Sequence, residues 1–498
     1  MALPILTSAQ LRELETRLAG AAPPLMVRAG AAVADMARRL AGDTGAPILV
    51  VAGPGNNGGD AWIAALNLLE TFHRVTVLDV TGLPARLDTA KLAKEAFTAK
   101  HGIVVHEWPL GLQPALIVDG LLGIGLARDV EAPFAAVIER INESGVPILA
   151  IDIPSGLDSE SGRPRGAAVR ATHTLTFLAH KVGLHTCDGP DHCGAITLED
   201  LGAAELSATL GKGVLLAPDV VAPWMKRRAR NSHKGDFGTL GIIGGNRGMV
   251  GAAILAGRAA LLAGAGKVQV GLITPDAPQI DPQHPELMLR HVDDAMLSSV
   301  LVAGPGAGQS PSVTSVSMFE RQLLPSAIAS AKPLVLDADA INAVAVNISL
   351  QAQVAARNAP TIVTPHPAEA ARLLKVTTAQ VQQDRLTAAL AMARKLNAFV
   401  VLKGVGSICA SPSGRWSVNT TGNPALATGG TGDVLAGIIG ALLCQKLEPW
   451  HALQYAVCLH GAAADSLVAR GMGPVGLTAS EVALECRRLM NIWTLRSH

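Results

Sequence analysis

Asn419-Thr420-Thr421-Gly422-Asn423-Pro424-Ala425-Leu426-Ala427-Thr428-Gly429-Gly430-Thr431-Gly432-Asp433-Val434-Leu435-Ala436-Gly437 runs Gly and Thr directly into an apolar segment that continues to Cys444. The apolar run predicts a helix, and the residues before it predict its mouth. Unpaired N–H groups at a helix start attract anions, and glycines let a phosphate approach the backbone. Asp433 falls in the first turn, beside that anion site. A carboxylate next to a phosphate site is a candidate base for deprotonating an attacking hydroxyl. The alternative is an acid that only complements the helix dipole. The catalytic reading weighs more, because an idle acid would repel the phosphate that this loop is built to hold.

Upstream of this loop, apolar strand candidates alternate with helical spacing. In the back half they are 239–243, ending in Gly244-Gly245, then 268–272, and the strand-to-loop transitions Val302-Ala303-Gly304, Val335-Leu336-Asp337, Ile362-Val363-Thr364 and Val401-Leu402-Lys403. A helix of small residues is predicted over 251–263. The front half shows the same alternation: 47–52, a helix over 61–70, then 74–80, 116–119 and 147–152. Continuously apolar strands between helices predict parallel sheets covered on both faces. Ligands then bind beyond the carboxyl ends of the strands, where Asp119 and Asp152 fall. The stretch 203–231 carries Gly, Pro and basic residues between the two patterns. The boundary is placed near Pro218, giving domains 1–218 and 219–498.

Lys plus Arg number 41 and Asp plus Glu 40, a balance with no global pull toward nucleic acid or an anionic membrane. The basic run Lys226-Arg227-Arg228-Ala229-Arg230 is read as a solvated linker. The opening Met1-Ala2-Leu3-Pro4-Ile5-Leu6-Thr7 lacks the pattern of a signal peptide, and 434–444 is too short to span a membrane, so a cytoplasmic protein is expected. Charged residues are 16 %, below the usual quarter, which predicts subunit interfaces in a homo-oligomer, a tetramer among the options. Aromatic residues are 3 %, so Ala, Val, Leu and Ile must build the core. Six scattered cysteines form no Cys-x-x-Cys pair, against a disulfide framework. His180, His185, Cys187, His192 and Cys193 cluster, but their spacing fits no standard zinc pattern; a loop with incidental thiols is the preferred reading.

Gly53-Pro54-Gly55-Asn56-Asn57-Gly58 fits Gly-x-Gly-x-x-Gly between a strand and a helix, with Asp79 closing the next strand. One reading is a Rossmann dinucleotide site. Another is a tight turn in which Asp60 caps or charges the helix. The longer string through Gly59 and Asp60 is more specific. Two adjacent Asn side chains supply groups that a plain pyrophosphate turn does not need. Three segments join it: 118–125 (Val-Asp-Gly-Leu-Leu-Gly-Ile-Gly), 151–158 (Ile-Asp-Ile-Pro-Ser-Gly-Leu-Asp), and Thr176-Phe177 with Lys181 and Gly183.

These four motifs in order, over about 7–205, resemble the NAD(P)H-hydrate epimerase domain, a Rossmann-like three-layer αβα fold. The resemblance implies a potassium ion held by Asn57, Asp119 and Ser155 with a backbone carbonyl near Leu122, oxygen ligands suited to a hard cation. It implies substrate contacts from Asn56, Asn57, Gly58, Gly59 and Asp60, from Gly123, Ile124, Gly125, Leu126, Ala127, Arg128 and Asp129, and from Asp152. Asp152 is the expected proton-transfer residue; otherwise it is a strand-end acid capping the Pro154-Ser155-Gly156 turn. One departure stands out: Leu25-Met26-Val27-Arg28-Ala29-Gly30 has Val27 where the family usually has an acid, which predicts a local packing or interface change.

The loop ending at Asp433 resembles the ribokinase-like superfamily. Lys234-Gly235-Asp236-Phe237-Gly238, Gly244-Gly245-Asn246, Gly251-Ala252-Ala253, Gly264-Ala265-Gly266, Gly304-Pro305-Gly306, 337–342 (Asp-Ala-Asp-Ala-Ile-Asn), 364–369 (Thr-Pro-His-Pro-Ala-Glu) and Lys403-Gly404-Val405-Gly406-Ser407 narrow it. Together, over about 225–495, they resemble ADP/ATP-dependent NAD(P)H-hydrate dehydratases. The resemblance implies that Ala253, Gly306 and His366 contact the hydrated nicotinamide nucleotide. Lys403, Gly404, Val405, Gly406, Ser407 and Gly432 would contact ADP or AMP, and Asp433 would be the base. Mg2+ is expected with ADP, because phosphoryl transfer needs charge neutralisation. Glu369 and Asp337 are candidate helpers. Plainer alternatives stand beside these: His366 stiffening a loop between prolines, Lys403 reaching solvent, and Asp337 capping the next helix.

The function expected is repair of hydrated NADH or NADPH: epimerisation of the R and S forms (NADHX, NADPHX), and ADP-dependent dehydration of the S form. A ribokinase-like small-molecule kinase with a Rossmann-like regulatory domain competes with it. So do a nicotinamide-binding scaffold with decayed sites and a dehydrogenase. Intact Asn57, Asp119, Asp152 and Asp433 speak against decay, and no hydride-acceptor site is evident for a dehydrogenase.

Overall fold

The computed structural model describes residues 3–42, 45–82, 88–308 and 318–496; Met1 and Ala2 of the opening lie outside them. The chain forms two compact units, dividing between Gly213 and Val214.

In the front unit seven strands run parallel in the spatial order Ile103–Val105, Val75–Asp79, Ile48–Ala52, Leu116–Gly120, Ile148–Ile151, His173–Phe177 and Ala195–Glu199. Successive residues of the central strands enter different cores. Val50, Ala52, Val118 and Ile151 pack with helices Leu25–Ala41 and Asn56–Glu70 on one face. Leu49, Val51, Ile117 and Ala150 pack with helix Phe134–Glu143 on the other. This split makes the three-layer αβα arrangement and explains the unbroken apolar runs. The chain builds outward from Ile48–Ala52 to one edge, then returns to Leu116–Gly120 on the other side. That reversal opens a crevice beyond the two strand ends, flanked by the loops after Ala52 and Gly120. Val27 packs at the rim of the core beside Met26.

The helix expected over 61–70 begins five residues earlier, at Asn56. Asn and Gly are poor helix formers, so the pattern hid this turn, whereas packing demands it. A Cβ on Gly58 would lie 1.8 Å from the Gly53 carbonyl oxygen, and one on Gly59 would meet Met26.

In the back unit, parallel strands Met288–Arg290, Lys267–Leu272, Thr239–Gly244, Val300–Ala303, Leu334–Leu336, Thr361–Val363 and Phe399–Leu402 lie in that spatial order. Two antiparallel strands follow, Ile408–Ala410 and Trp416–Asn419, which strand periodicity did not predict. Helices Val250–Leu262, Thr431–Cys444 and Pro449–Ala469 cover one face with a core rich in small residues. A Cβ on Gly437 would fall 2.1 Å from the Ala256 carbonyl oxygen, so this crossing requires glycine. Trp450, Tyr455 and Trp493 also enter that core.

The stretch read as a junction holds helix Ala204–Leu210, strand Gly213–Leu216 and helix Pro218–Val221. The basic run after it is exposed. Arg228 is docked, however: it donates to the Gly264 carbonyl and Gln445, and covers the Phe237 ring at 3.7 Å. No helix among the described residues is long and apolar enough to cross a membrane.

Candidate active sites

In the front unit one hydrogen-bonded chain joins the two crevice loops. Asn57 Nδ2 donates to the Leu122 carbonyl at 2.8 Å, and Leu122 N donates to Ser155 Oγ at 2.8 Å. Ser155 gives its N–H to Asp119 Oδ2 at 2.8 Å and its hydroxyl to Asp119 Oδ1 at 2.6 Å. Leu121 N adds a third bond to that carboxylate at 3.2 Å. Asp119 and Ser155 are fully buried. Burial pushes the Asp119 carboxyl up to about 6, partly offset by its Ser155 and Leu121 bonds. No basic side chain of the described residues pairs with it. A buried carboxylate without a counter-charge, beside a carbonyl, a hydroxyl and an amide, is a donor set that fits a hard cation.

Asp152 stands apart from that chain. It follows strand Ile148–Ile151 with φ +65°, a conformation rare for a non-glycine residue. Its carboxylate does not cap the 154–156 turn; Asp119 does that work. Instead Oδ1 accepts from Phe177 N at 3.0 Å and from Lys181 Nζ at 2.5 Å. Lys181 is 1 % exposed and also donates to Thr176 Oγ1 at 2.8 Å and the Phe177 carbonyl at 3.2 Å. A fixed ammonium therefore holds and orients the candidate base. Lys181 stood in a quoted motif but had no role until the fold brought it to Asp152.

Asp60 lies one turn inside helix Asn56–Glu70, whose mouth is Gly55, so it is not the cap. It is half-buried, and burial, then the charges of Asp152 and Glu15, hold its carboxyl well above the usual range. Glu15, on helix Ser8–Arg17, had no sequence signal; only tertiary packing brings it near. Asn56 is exposed, Gly123 rests against the Asn57 side chain, and Ile124 and Leu126 pack at the edges of cores. Gly125, Ala127, Arg128 and Asp129 face solvent.

The His180–Cys193 cluster forms no group of three or more metal-binding His, Cys, Asp or Glu side chains among the described residues. His185 Nε2 and His180 Nδ1 lie 3.0 Å apart, and burial holds both rings neutral, at about 3 and about 4.

In the back unit the strand-end loops converge on Lys403. This residue follows Phe399–Leu402 and reaches Asp337 Oδ1 at 3.3 Å, not open solvent. Asp337 also accepts from Thr364 Oγ1 at 2.5 Å, so its side chain belongs to this cluster and not to the next helix, whose cap is Ala338. Lys403 Nζ lies 3.3 Å from where a Cβ on Gly432 would stand, over the mouth of helix Thr431–Cys444. Gly430 caps that helix at φ +91°, and Asp433 occupies its third position. Burial, then the charge of Asp337, raises the Asp433 carboxyl to about 7; Lys403 opposes this and Asp339 adds to it.

His366 caps helix Pro367–Leu374: its Nδ1 accepts from Ala368 N at 3.1 Å, while Glu369 Oε2 accepts from His366 N at 2.8 Å. This is the geometry of the plainer alternative, a histidine that fixes the loop between its prolines, and the Nε2 edge lies 3.3 Å from Glu369. Burial lifts Glu369 to about 7, with Lys403 opposing. The Lys403–Ser407 turn is held from behind by Arg385, which donates to the Leu402 and Lys403 carbonyls, and from within by Ser407 Oγ to the Gly404 carbonyl at 3.0 Å. Val405 projects outward. Ala253 is buried under Gly245, and Gly306, at φ +61°, gives its carbonyl to Asn246 N at 2.7 Å. Asp339, quoted in the sequence without a role, accepts from Gly308 N at 2.7 Å. Among the described residues, three carboxylates, Asp337, Glu369 and Asp433, thus share the Lys403 ammonium at a helix mouth, with Asp339 adding charge beside Asp433. Surplus negative charge of this kind fits a divalent ion accompanying a phosphate.

The NAD(P)H-hydrate dehydratase family matches residues 240–485, and the YjeF-related protein N-terminus matches residues 23–183. The bifunctional NAD(P)H-hydrate repair enzyme Nnr of Coxiella burnetii is 38 % identical over 497 residues, covering 97 % of this chain and 98 % of that protein. The enzyme of the same description from Escherichia coli is 37 % identical, covering 94 % of this chain and 89 % of its own. Among solved structures, ADP/ATP-dependent NAD(P)H-hydrate dehydratase from Bacillus subtilis, co-crystallised with ATP and Mg2+, is 32 % identical with a TM-score of 0.48, covering 56 % of this chain and 98 % of that one. Similarity that runs through both units at this level leaves one assignment: the chain belongs to the bifunctional NAD(P)H-hydrate repair enzymes.

Proposed function

We propose that the front domain, 1–218, interconverts the R and S forms of NADHX and NADPHX. The back domain, 219–498, dehydrates the S form to NADH or NADPH while ADP becomes AMP and phosphate. The observation that carries the back-domain reading is Asp433: a carboxyl poised at about 7, at a glycine-lined helix mouth, beside Lys403.

Hydroxide leaves poorly. Asp433 takes the proton from the substrate hydroxyl, whose oxygen then attacks the β-phosphorus of ADP and displaces AMP. The hydroxyl has become a phosphate ester; phosphate departs with the C–O electron pair, and the neighbouring ring carbon gives up a proton as the ring regains its double bond. A base poised near the working pH suits the first step. Lys403 and the N–H groups of Gly432 and its neighbours stabilise charge on the phosphoryl oxygens. Lys403 to Ser407 and Gly432 hold the adenine nucleotide; Ala253, Gly306 and His366 hold the nicotinamide nucleotide. Mg2+, when bound with ADP, supplies charge neutralisation, and Asp337 and Glu369 are placed to support it.

In the front domain the substrate lies against the 56–60 and 123–129 loops. Asp152 moves the proton of the hydroxyl on the carbon next to the ring nitrogen while a bond at that carbon opens and re-forms from the other face, and Lys181 fixes its orientation. Asn57, Asp119, Ser155 and the Leu122 carbonyl would hold K+, which would supply a fixed positive charge at the site. The low charged share supports a homo-oligomer, and six free thiols support a reducing, cytoplasmic setting.

The test is to mix the purified chain with mixed R and S NADHX, ADP, Mg2+ and K+, and to follow nicotinamide absorbance and free phosphate. Full conversion of both forms, with one phosphate per NADH, is expected. A stable phosphorylated product would favour the kinase reading instead, and no product at all would overturn both.

A further inference from the structure

The Lys403–Ser407 turn is exposed at its tip and pinned at its base. The Ser407 carbonyl accepts from Asn419 N at 3.0 Å, and Lys403 N donates to the Pro365 carbonyl at 2.9 Å. The remaining anchor is Arg385, the first residue of helix Arg385–Leu396 and only 2 % exposed. Its Nη2 donates to the Leu402 carbonyl at 3.2 Å and to the Lys403 carbonyl at 3.3 Å, while its Nη1 donates to Gln382 Oε1 at 2.7 Å. The guanidinium also lies against Gly404, where a Cβ would stand 2.9 Å from Nη1 and 3.0 Å from Nη2. Gly404 has φ +136°, so its backbone conformation and this close approach both call for glycine.

Neither the helix nor the core accounts for a cation here. A positive charge in the first turn opposes the helix dipole. The helix start is already capped by Asp384, whose Oδ1 accepts from Thr387 N at 2.9 Å. Burying a guanidinium is costly unless its donors are used, and these donors are used on two consecutive carbonyls at the end of strand Phe399–Leu402. One nitrogen that bonds both restrains the peptide between them. With Pro365 on its N–H and Arg385 on its carbonyl, the Lys403 backbone is held on both sides. Its side chain starts from that fixed point and carries Nζ to Asp337 Oδ1 at 3.3 Å, over Gly432 at the helix mouth.

We propose that Arg385 is a positioning residue for the adenine nucleotide: by holding the Leu402 and Lys403 carbonyls from behind, it fixes where the Lys403 ammonium stands over the mouth of helix Thr431–Cys444. It touches neither nucleotide nor the reacting atoms, and it acts through Lys403. The inference rests on the dehydratase reading for its kinetic consequence, whereas ADP affinity reports the position of Lys403 whatever product forms.

The test uses R385M and R385K in the full-length chain, each alone and combined with K403M. Met fills similar space without a donor. Lys keeps the charge on a shorter chain and has no second nitrogen for Gln382. Calorimetric affinity for ADP with Mg2+ and the pH profile of NADH formation are measured, with epimerase activity and thermal melting as controls for folding. R385M is expected to lose about tenfold in ADP affinity, the value of hydrogen bonds from a charged group. The groups that set the charge at Asp433 are Asp337, Asp339 and Lys403; a displaced Lys403 lowers the Asp433 carboxyl less, so the acid limb of the profile should move to higher pH. On the K403M background the same change should cost at most about twofold, because coupled residues are not additive. R385K, which is also the safeguard should R385M fail to fold, is expected to lose about threefold or more with the same shift of the limb. Parent-like ADP affinity and pH profile in R385M or R385K overturn the proposal. So does an undiminished loss on the K403M background, because Arg385 would then act without Lys403.

Discussion

Replacing Asp433 with Asn removes the proposed base while keeping its shape, and two effects of opposite sign follow. The first is on rate. General-base assistance contributes about 10²–10⁴-fold, or roughly 3–5 kcal/mol of barrier, so ADP-dependent NADH formation should fall by at least a hundredfold. The second is on stability. Burial and the Asp337 charge lift the Asp433 carboxyl from 3.8 to about 7. A folded-state value above the unfolded one means that the ionised group opposes folding. The penalty is absent below about pH 4, grows as pH rises, and is complete above about pH 7. That displacement corresponds to at most about 4 kcal/mol, and partial solvent contact reduces it to about 2. Asn carries no such penalty. Without nucleotide, the variant should melt about 4–8 °C higher than the parent at about pH 8, a gap that closes toward about pH 4. The assay is a thermal melt across pH, following the transition that ADP raises in the parent, because that transition belongs to the back unit. Epimerisation by the same preparation should be unchanged. A variant that keeps more than a tenth of the rate, or melts lower than the parent at about pH 8, would refute the reasoning.

Asp152→Ala should reduce epimerisation to the spontaneous rate and leave S-form dehydration intact, so that the R form accumulates in a chromatographic time course; sustained R consumption would remove Asp152 from the mechanism. Lys403→Met deletes the one ammonium shared by Asp337, Glu369 and Asp433, and should weaken ADP binding by about 10–100-fold, the value of a charged hydrogen bond. Because Lys403 also holds Asp433 down, the acid limb of the remaining activity should move to higher pH. Asp119→Asn should abolish the rise in melting temperature that K+ gives the parent chain, with Na+ as the control; an equal K+ response in both would exclude Asp119 as a ligand. Gly58→Ala forces a Cβ to within 1.8 Å of the Gly53 carbonyl oxygen, and should abolish epimerisation through displacement of the 53–60 turn, seen as lost activity with dehydration retained.

Much of this fold was legible because buried parallel strands announce themselves. The runs at 48–52, 116–118 and 148–151 are apolar at every position, and both faces of the sheet are in fact covered. What stayed hidden depended on partners distant in the chain. The turn Asn56–Asp60 looks like a loop because its residues are poor helix formers; only the fit of Gly58 against Gly53 and of Gly59 against Met26 makes it helical. The short antiparallel pair at 408–410 and 416–419 is too brief for alternation to register. Asp337 read equally well as a helix cap, and Lys403 as a lysine bound for solvent. Their pairing needs two strand ends that are 66 residues apart in sequence and separated in the sheet by strand Thr361–Val363.

Three carboxylates, Asp119, Asp152 and Asp433, follow similar strand or helix boundaries, yet their surroundings suit them to different work. Asp119 receives three hydrogen bonds and no ammonium, so a cation entering there would meet a preformed charge that lacks only its counter-ion. Asp152 has an ammonium of its own, Lys181, whose other donors are tied to Thr176 and Phe177; its carboxylate is held in one orientation, which suits the proton transfer proposed for it. Asp433 shares its nearest ammonium with Asp337 and Glu369 and is left under-compensated. Burial, then the Asp337 charge, with Lys403 opposing only in part, brings its proton affinity near neutrality. A private lysine beside Asp433 would make a more stable protein and a weaker base, because the charge that settled the carboxylate would also lower its pull on the substrate proton. The crowding of acids around Lys403 is thus a condition for the chemistry, and the excess stability of an Asp433→Asn chain at high pH is the measurable form of that trade-off.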